Sequence, residues 1–157
     1  MKKILLSIII LLSSLSANSV LKSDTRIVNE GKGVILFFEN DECDYCKILK
    51  KDFTENKEMN SIAKKFNIYL INVTNEKDYI VGKKKRKETT TSLRMAFASK
   101  VSPNIVLFDK KWNKIFQIPG YADPKQMTTF MKFVQGLNEG KYKATQWKKF
   151  LKDNGVS

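Results

Sequence analysis

The only two cysteines of the chain stand three positions apart in Cys43-Asp44-Tyr45-Cys46, and what flanks them constrains the fold more than any other stretch. Upstream lies Val34-Ile35-Leu36-Phe37-Phe38, an unbroken apolar run of β-branched and aromatic residues. Downstream, from Lys47, apolar residues recur at helical spacing. A short continuous apolar run bounded by turn formers predicts a buried central strand over 34–39. A strand that ends in CxxC and opens a helix is a redox layout. The unpaired N–H groups of a helix N-terminus favour thiolate over thiol, which makes the first cysteine the better nucleophile. Cys43 is thus the candidate attacking sulfur and Cys46 the resolving one.

The remaining patterns arrange themselves around that unit. Residues 18–33 predict only a short strand or helix before the turn Gly31-Lys32-Gly33. Ile48, Leu49, Phe53, Met59, Ile62, Ala63 and Phe66 form one apolar face, read as one helix or as two broken near Asn56. Ile68 to Val73 predicts a second buried strand, so strand, helix and strand make a right-handed βαβ unit with a parallel pair. Residues 75–87 show no periodicity and end in the basic run Lys83-Lys84-Lys85-Arg86-Lys87. That run reads as a solvated loop, with nucleic acid, acidic lipid headgroups or an acidic partner as the alternatives. Thr89-Thr90-Thr91-Ser92 offers caps for a helix over 93–99, with Leu93, Met95 or Ala96, and Phe97 facing inward.

Val101-Ser102-Pro103-Asn104 precedes a strand over Ile105-Val106-Leu107-Phe108. A proline there cannot donate to the ladder and marks a special geometry at the strand entrance. Residues 109–113 predict a hairpin connection to a return strand over 114–118, followed by Pro119-Gly120-Tyr121. Asp123-Pro124 then starts a helix whose buried stripe is Met127, Phe130, Met131, Phe133, Val134 and Leu137. Residues 144–153 predict a terminal helix packed on the body through Trp147, Phe150 and Leu151, with a membrane-surface or partner-docking helix as the alternative.

The N-terminus reads differently. Lys2-Lys3, the apolar run Ile4 to Leu12 and Ser13-Ser14-Leu15-Ser16-Ala17 have the three parts of a secretory signal peptide. The expected organisation is a leader over 1–17, cut after Ala17 or nearby, and one domain over 18–157. The apolar run is short of the roughly 20 residues that span a bilayer; an uncleaved anchor is the alternative. The expected location is therefore periplasmic or secreted, where disulfides persist.

Two absences exclude whole chemistries. With no histidine in the chain, Ser-His and Cys-His catalysis and His-ligated metals are ruled out, and Lys47 after Cys46 rules out the CxxCH haem motif. Two cysteines are half of a Cys₄ zinc site, so no metal is expected. The formal charge of +13 falls to +11 once Lys2 and Lys3 leave. Such an excess favours anionic partners or membrane surfaces, and in an exported protein a weak contact with anionic membrane rather than nucleic acid.

Strand, Cys43-Asp44-Tyr45-Cys46, helix, strand, helix, Ser102-Pro103, strand, hairpin, strand, Gly120 and helix together resemble the thioredoxin superfamily. Within it, the likeness is to exported bacterial members related to the Dsb proteins and to the thioredoxins of sulfur-oxidation operons. The resemblance, over about Val34 to Leu137, implies an α/β thioredoxin fold with a central mixed sheet and helices on both faces. It implies that Cys43 attacks a substrate disulfide and Cys46 resolves the mixed disulfide, with no cofactor beyond this dithiol. It makes Pro103 the family's cis-proline, has Ser102 pair its main chain with the substrate strand, and places Gly120, with Tyr121 beside it, on the same groove.

Departures bear on direction. Where thioredoxin has a buried aspartate, this chain has Phe37-Phe38, with Glu39 as the nearest acid. The inter-cysteine pair is Asp44-Tyr45 rather than Gly-Pro. Asp44 opposes the thiolate while Lys47 and Lys50 favour it. A less stabilised thiolate means a more reducing couple, and a shift of about 30 mV corresponds to ~1.4 kcal/mol. The expected activity is an exported thiol–disulfide oxidoreductase working as a reductase on protein disulfides, with electrons from a membrane partner. The alternatives are an oxidase or isomerase of the same fold, or a non-catalytic binding module stapled by Cys43–Cys46. The staple is the weaker reading, because so short a closed loop restricts the unfolded chain little.

Overall fold

In the computed structural model, which describes residues 19–156, the central strand β3 (Gly33–Glu39) is buried along its length and divides the molecule into two cores. Because successive side chains of a strand point to opposite faces, Ile35 and Phe37 enter one core while Val34, Leu36 and Phe38 enter the other. The predicted leader over 1–17 lies outside the described residues. In chain order the elements are β1 (Leu21–Lys22), β2 (Arg26–Ile27), β3, α1 (Asp44–Glu55), α2 (Lys57–Ala63), β4 (Phe66–Asn72), β5 (Asp78–Val81) and β6 (Arg86–Thr89). They continue with α3 (Thr90–Ala96), β7 (Asn104–Phe108), β8 (Lys114–Pro119), α4 (Pro124–Asn138) and α5 (Trp147–Asp153).

The main sheet has the order β1-β4-β3-β7-β8. β4 lies parallel to β3, from Gly33↔Phe66 to Glu39↔Asn72, and β7 lies antiparallel, from Val34↔Phe108 to Phe38↔Asn104. The sheet is therefore mixed, as expected. The first core holds Leu49 and Phe53 of α1, Met59 and Ala63 of α2, and Met127, Met131 and Val134 of α4. The second holds Leu93 of α3 with Ile27, Tyr69 and Tyr79. The helix break expected near Asn56 is real: its side-chain oxygen accepts the Met59 N–H at 3.0 Å and caps α2. Asp123 caps α4 in the same way, accepting from Gln126 N–H at 2.8 Å, with Pro124 opening the helix.

The largest departure is at 75–87. The expected loop contains β5 and β6, which pair antiparallel with each other while β5 pairs parallel with β2, making a second, three-stranded sheet. No local pattern announces it. Its partner β2 is some fifty positions away in sequence, and buried Tyr79 is its anchor. Smaller departures share a cause, the choice of a neighbouring face by tertiary packing. β4 begins at Phe66, two residues early; α3 ends at Ala96 and leaves Ala96 and Met95 exposed, Met95 at 75%. Ile48 is 45% exposed on α1 instead of in the core. Residues 144–146 form a 3₁₀ turn leading into α5.

α4 and α5 close over an aromatic cluster. The Tyr142 ring stacks on Phe133 at 5.8 Å and meets Phe150 at 4.9 Å. Gly136 makes this possible, since a Cβ there would overlap the Tyr142 ring. Gly136→Ala is expected to lower stability by about 1–2 kcal/mol, overpacking of 1–3 kcal/mol outweighing a helix-propensity gain of up to ~1 kcal/mol. Urea unfolding followed by tryptophan fluorescence measures it; a stabilised variant would show that the ring is free to move.

Candidate active site

Cys43 and Cys46 are joined as a disulfide, Cα to Cα 5.2 Å, at the first turn of α1. Cys43 is the N-cap residue, and its Sγ accepts the Cys46 N–H at 3.1 Å. The two sulfurs are unequally accessible, Cys43 being 8% and Cys46 1% exposed. In the dithiol form the sulfur at the cap faces unpaired helix N–H groups, which stabilise its thiolate. Access and electrostatics select the same cysteine.

An open cleft runs past Cys43, lined by Asn40, Asp41, Glu42, Asp44, Tyr45, Thr74 and Ser102. The loop before α1 is tied to the end of β4. Asp41 N–H donates to Thr74 Oγ1 at 3.3 Å, and Asn72 Nδ2 donates to the Asp41 carboxylate at 2.6 Å. Neither Asn72 nor Thr74 carries a sequence signal, because both reach the site from another strand. Ser102 enters the cleft from the loop before β7, and the Ser102–Pro103 peptide is cis. Pro103 C=O accepts the Gly120 N–H at 2.8 Å, joining the entrance of β7 to the exit of β8. Gly120 has φ +88°, a conformation that favours glycine. The next residue, Tyr121, brings its ring to 5.7 Å from that of exposed Tyr45. Cys43, Cys46, Asp44, Tyr45, Ser102, Pro103, Gly120 and Tyr121 thus converge on one end of the sheet.

The charged residues pair off. Asp44 and Lys47 form an exposed ion pair at 2.8 Å. The Lys47 hydrogen bond and charge hold the Asp44 carboxyl below its ordinary range, and Asp44 in turn holds the Lys47 ammonium above its own. Glu39 projects to the α1 side of β3, one pleat beyond Phe37, and is 8% exposed; its carboxylate pairs with Lys50 at 2.5 Å. Both lie beside Cys43 in a second, smaller cleft with Lys47 and Asn72. Phe37 packs against Phe53 at 6.3 Å. The lysines expected to support the thiolate are therefore each engaged by a carboxylate, while Asp41 and Glu42 face the main cleft.

Tyr121 O–H donates to Asp52 Oδ2 at 2.8 Å, tying the β8 exit to α1. Desolvation, then the hydrogen bond to the carboxylate, pushes its phenol from 10.0 to about 12. A folded-state value above the unfolded one gives stability that is complete below pH ~10 and is lost as pH rises toward about 12, because only the unfolded chain ionises in that window. Tyr121→Phe is expected to flatten that part of the stability–pH curve and to cost about 1 kcal/mol at neutral pH. Equilibrium unfolding at pH 8 to 11 tests both; an unchanged slope would show that Tyr121 is not the group responsible.

Residues 22–135 match the family model of the thioredoxin-like domain. A thioredoxin-fold protein from Helicobacter pylori superposes with a TM-score of 0.76 at 26% identity, over 87% of this chain and 92% of that one. A thioredoxin-like protein from Clostridium perfringens matches at 22% identity with a TM-score of 0.47, over 79% of this chain and 90% of that one. A disulphide isomerase from Xylella fastidiosa matches at 18% identity with a TM-score of 0.47, over 67% and 79%. No curated protein matches. With the family model covering most of the chain and its strand, CxxC and helix laid out as above, the protein belongs to the thioredoxin-like family.

Proposed function

We propose that the protein is an exported thiol–disulfide oxidoreductase that reduces disulfides in other proteins. The observation that carries this reading is the Cys43–Cys46 pair at the N-terminus of α1, with Cys43 opening on a cleft that Ser102 also lines. In the reducing direction the Cys43 thiolate attacks a substrate disulfide, forming a Cys43–substrate disulfide and releasing one substrate thiolate. Cys46, once deprotonated, attacks the Cys43 sulfur, forms the internal disulfide and releases the second substrate thiolate. Two electrons pass to the substrate, and a membrane dithiol protein restores Cys43 and Cys46. Ser102, on the cleft, presents its main chain to the substrate beside the sulfurs, with Pro103 and Gly120 behind it, joined by their main-chain hydrogen bond. Export rests on the leader-like residues 1–17.

The direction rests on charge. Asp41 and Glu42 border Cys43 beyond the two ion pairs Asp44–Lys47 and Glu39–Lys50, which offset one another. Carboxylates nearby disfavour a thiolate, so the dithiol gives up its electrons more readily. Equilibration with glutathione buffers is expected to give a potential below about −200 mV, between the isomerase and thioredoxin values of roughly −180 and −270 mV. A value near −120 mV, typical of a strong oxidant, would reverse the direction.

A further inference from the structure

The charge of the molecule is divided between the two ends of the main sheet. β3 and β4 deliver Glu39 and Asn72 to the disulfide end and start from Gly33 and Phe66 at the other. At that other end three turns meet: 82–85 carries Lys83, Lys84 and Lys85, 109–113 carries Lys110 and Lys111, and the loop into β3 carries Lys32. Asn29 knits them together. Its side chain donates to Lys110 C=O at 2.6 Å, its C=O accepts the Lys32 N–H at 2.7 Å, and it shares a cleft with Gly82, Lys83 and Lys85. The C-terminus of α4 arrives there too, Asn138 Oδ1 accepting the Lys110 N–H at 2.8 Å.

The acids of this end are fewer than its lysines: Asp109, whose carboxylate accepts the N–H groups of Lys111 and Asn113 within its own turn, Glu139, paired with a further lysine, Lys141, at 2.5 Å, and Glu30 beside Lys83 and Lys85, with Asp24 in the adjoining cleft. At the disulfide end Lys47 and Lys50 are paired with Asp44 and Glu39, and Asp41 and Glu42 add negative charge around the cleft.

We infer that the lysine-rich end is a docking face for an anionic phospholipid bilayer, holding the domain with its disulfide pointed away from the lipid. The orientation rests on the redox reading above; the docking does not. Lysines spread over several turns and two separate clefts, not converged on one pocket, suit a fluid layer of phosphate headgroups, which compact ammonium groups meet as point charges. Two other polyanions fit less well. The one aromatic ring on these turns, Trp112, is half-buried and packs against Phe108 at 5.9 Å instead of standing out for bases to stack on. Of the two guanidiniums beside the 82–85 turn, Arg86 is held by Glu88 at 2.6 Å and only Arg26 lines the cleft with Lys83 and Lys85, short of the arginine cluster that clamps a phosphopeptide.

The test is co-sedimentation of the full chain with vesicles of phosphatidylcholine, alone or with 30 mol% phosphatidylglycerol chosen as the anionic probe. The zwitterionic vesicles subtract whatever the apolar run contributes. Each lysine at such a surface multiplies binding about fivefold, so the Lys83→Gln, Lys84→Gln, Lys85→Gln variant is expected to lose roughly a hundredfold of the phosphatidylglycerol-dependent binding. Lys51→Gln, Lys77→Gln, Lys100→Gln removes the same charge elsewhere and is expected to keep most of it. On the vesicles, reduced Cys43 is expected to react with a membrane-impermeant maleimide as fast as in solution. Equal loss in the two triple variants, no preference for phosphatidylglycerol, or preferential binding of an oligonucleotide or an acidic peptide at the same salt would overturn the docking. Protection of Cys43 on the vesicle would overturn the orientation. Reduction of a protein disulfide in solution is independent of all these outcomes.

Discussion

Cys46→Ala is expected to accumulate a covalent complex with a disulfide-containing protein, joined through Cys43 and released by dithiothreitol, while Cys43→Ser forms none. The expectation follows from the positions of the sulfurs. Cys43 caps α1 and borders the open cleft, whereas Cys46 lies one turn inside and is 1% exposed. Attack by Cys43 breaks the substrate disulfide, and without the second sulfur no intramolecular thiolate remains to break the new bond. In Cys43→Ser the hydroxyl is no redox nucleophile and Cys46 is too buried to replace it, so reduction is expected to fall to that of buffer alone. Non-reducing electrophoresis and intact-mass measurement read both variants. Adducts of equal yield through either cysteine would show that the burial difference does not select the attacking sulfur.

Phe53→Ala is expected to cost about 3–5 kcal/mol of folding stability, a large share of the 5–15 kcal/mol of an ordinary domain. Phe53 is fully buried on α1, its ring 6.3 Å from that of Phe37 on β3, in the core that also holds Cys46, Leu49 and Met127. Truncation removes the apolar body of the residue and leaves a cavity walled by the sheet and two helices, which can collapse only in part. The midpoint of guanidinium unfolding should fall, and because α1 carries Cys43 and Cys46, losing its seat should also raise the susceptibility of the disulfide to dithiothreitol. A loss under 1 kcal/mol would show that α4 moves in to fill the space.

The parts of this molecule that could be read in its sequence are those whose physics is local. Val34 to Phe38 is apolar throughout because both faces of β3 are covered, and Leu49 and Phe53 mark the buried stripe of α1. Pro124 and Asp123 announce α4 through capping. The second sheet was not legible, since Asp78-Tyr79-Ile80-Val81 acquires its meaning only when Arg26 and Ile27 come alongside. Met95 and Ile48 follow helical periodicity yet remain exposed, because periodicity names a face without saying what lies against it. At the site, the cysteines and Ser102-Pro103 carried their own signals. The Glu39–Lys50 and Asp44–Lys47 pairs did not, and they alter the electrostatic argument: the lysines that looked free to support the thiolate are already engaged.

The most direct measurement of the central claim is stoichiometric. Fully reduced protein, freed of reductant, is mixed with an oxidised model protein, and the substrate thiols formed are counted against the disulfide regained at Cys43–Cys46. The account requires one substrate disulfide reduced for each Cys43–Cys46 disulfide formed, with a rate that rises with substrate concentration. Substrate disulfides left intact while Cys43 and Cys46 remain dithiols would contradict it.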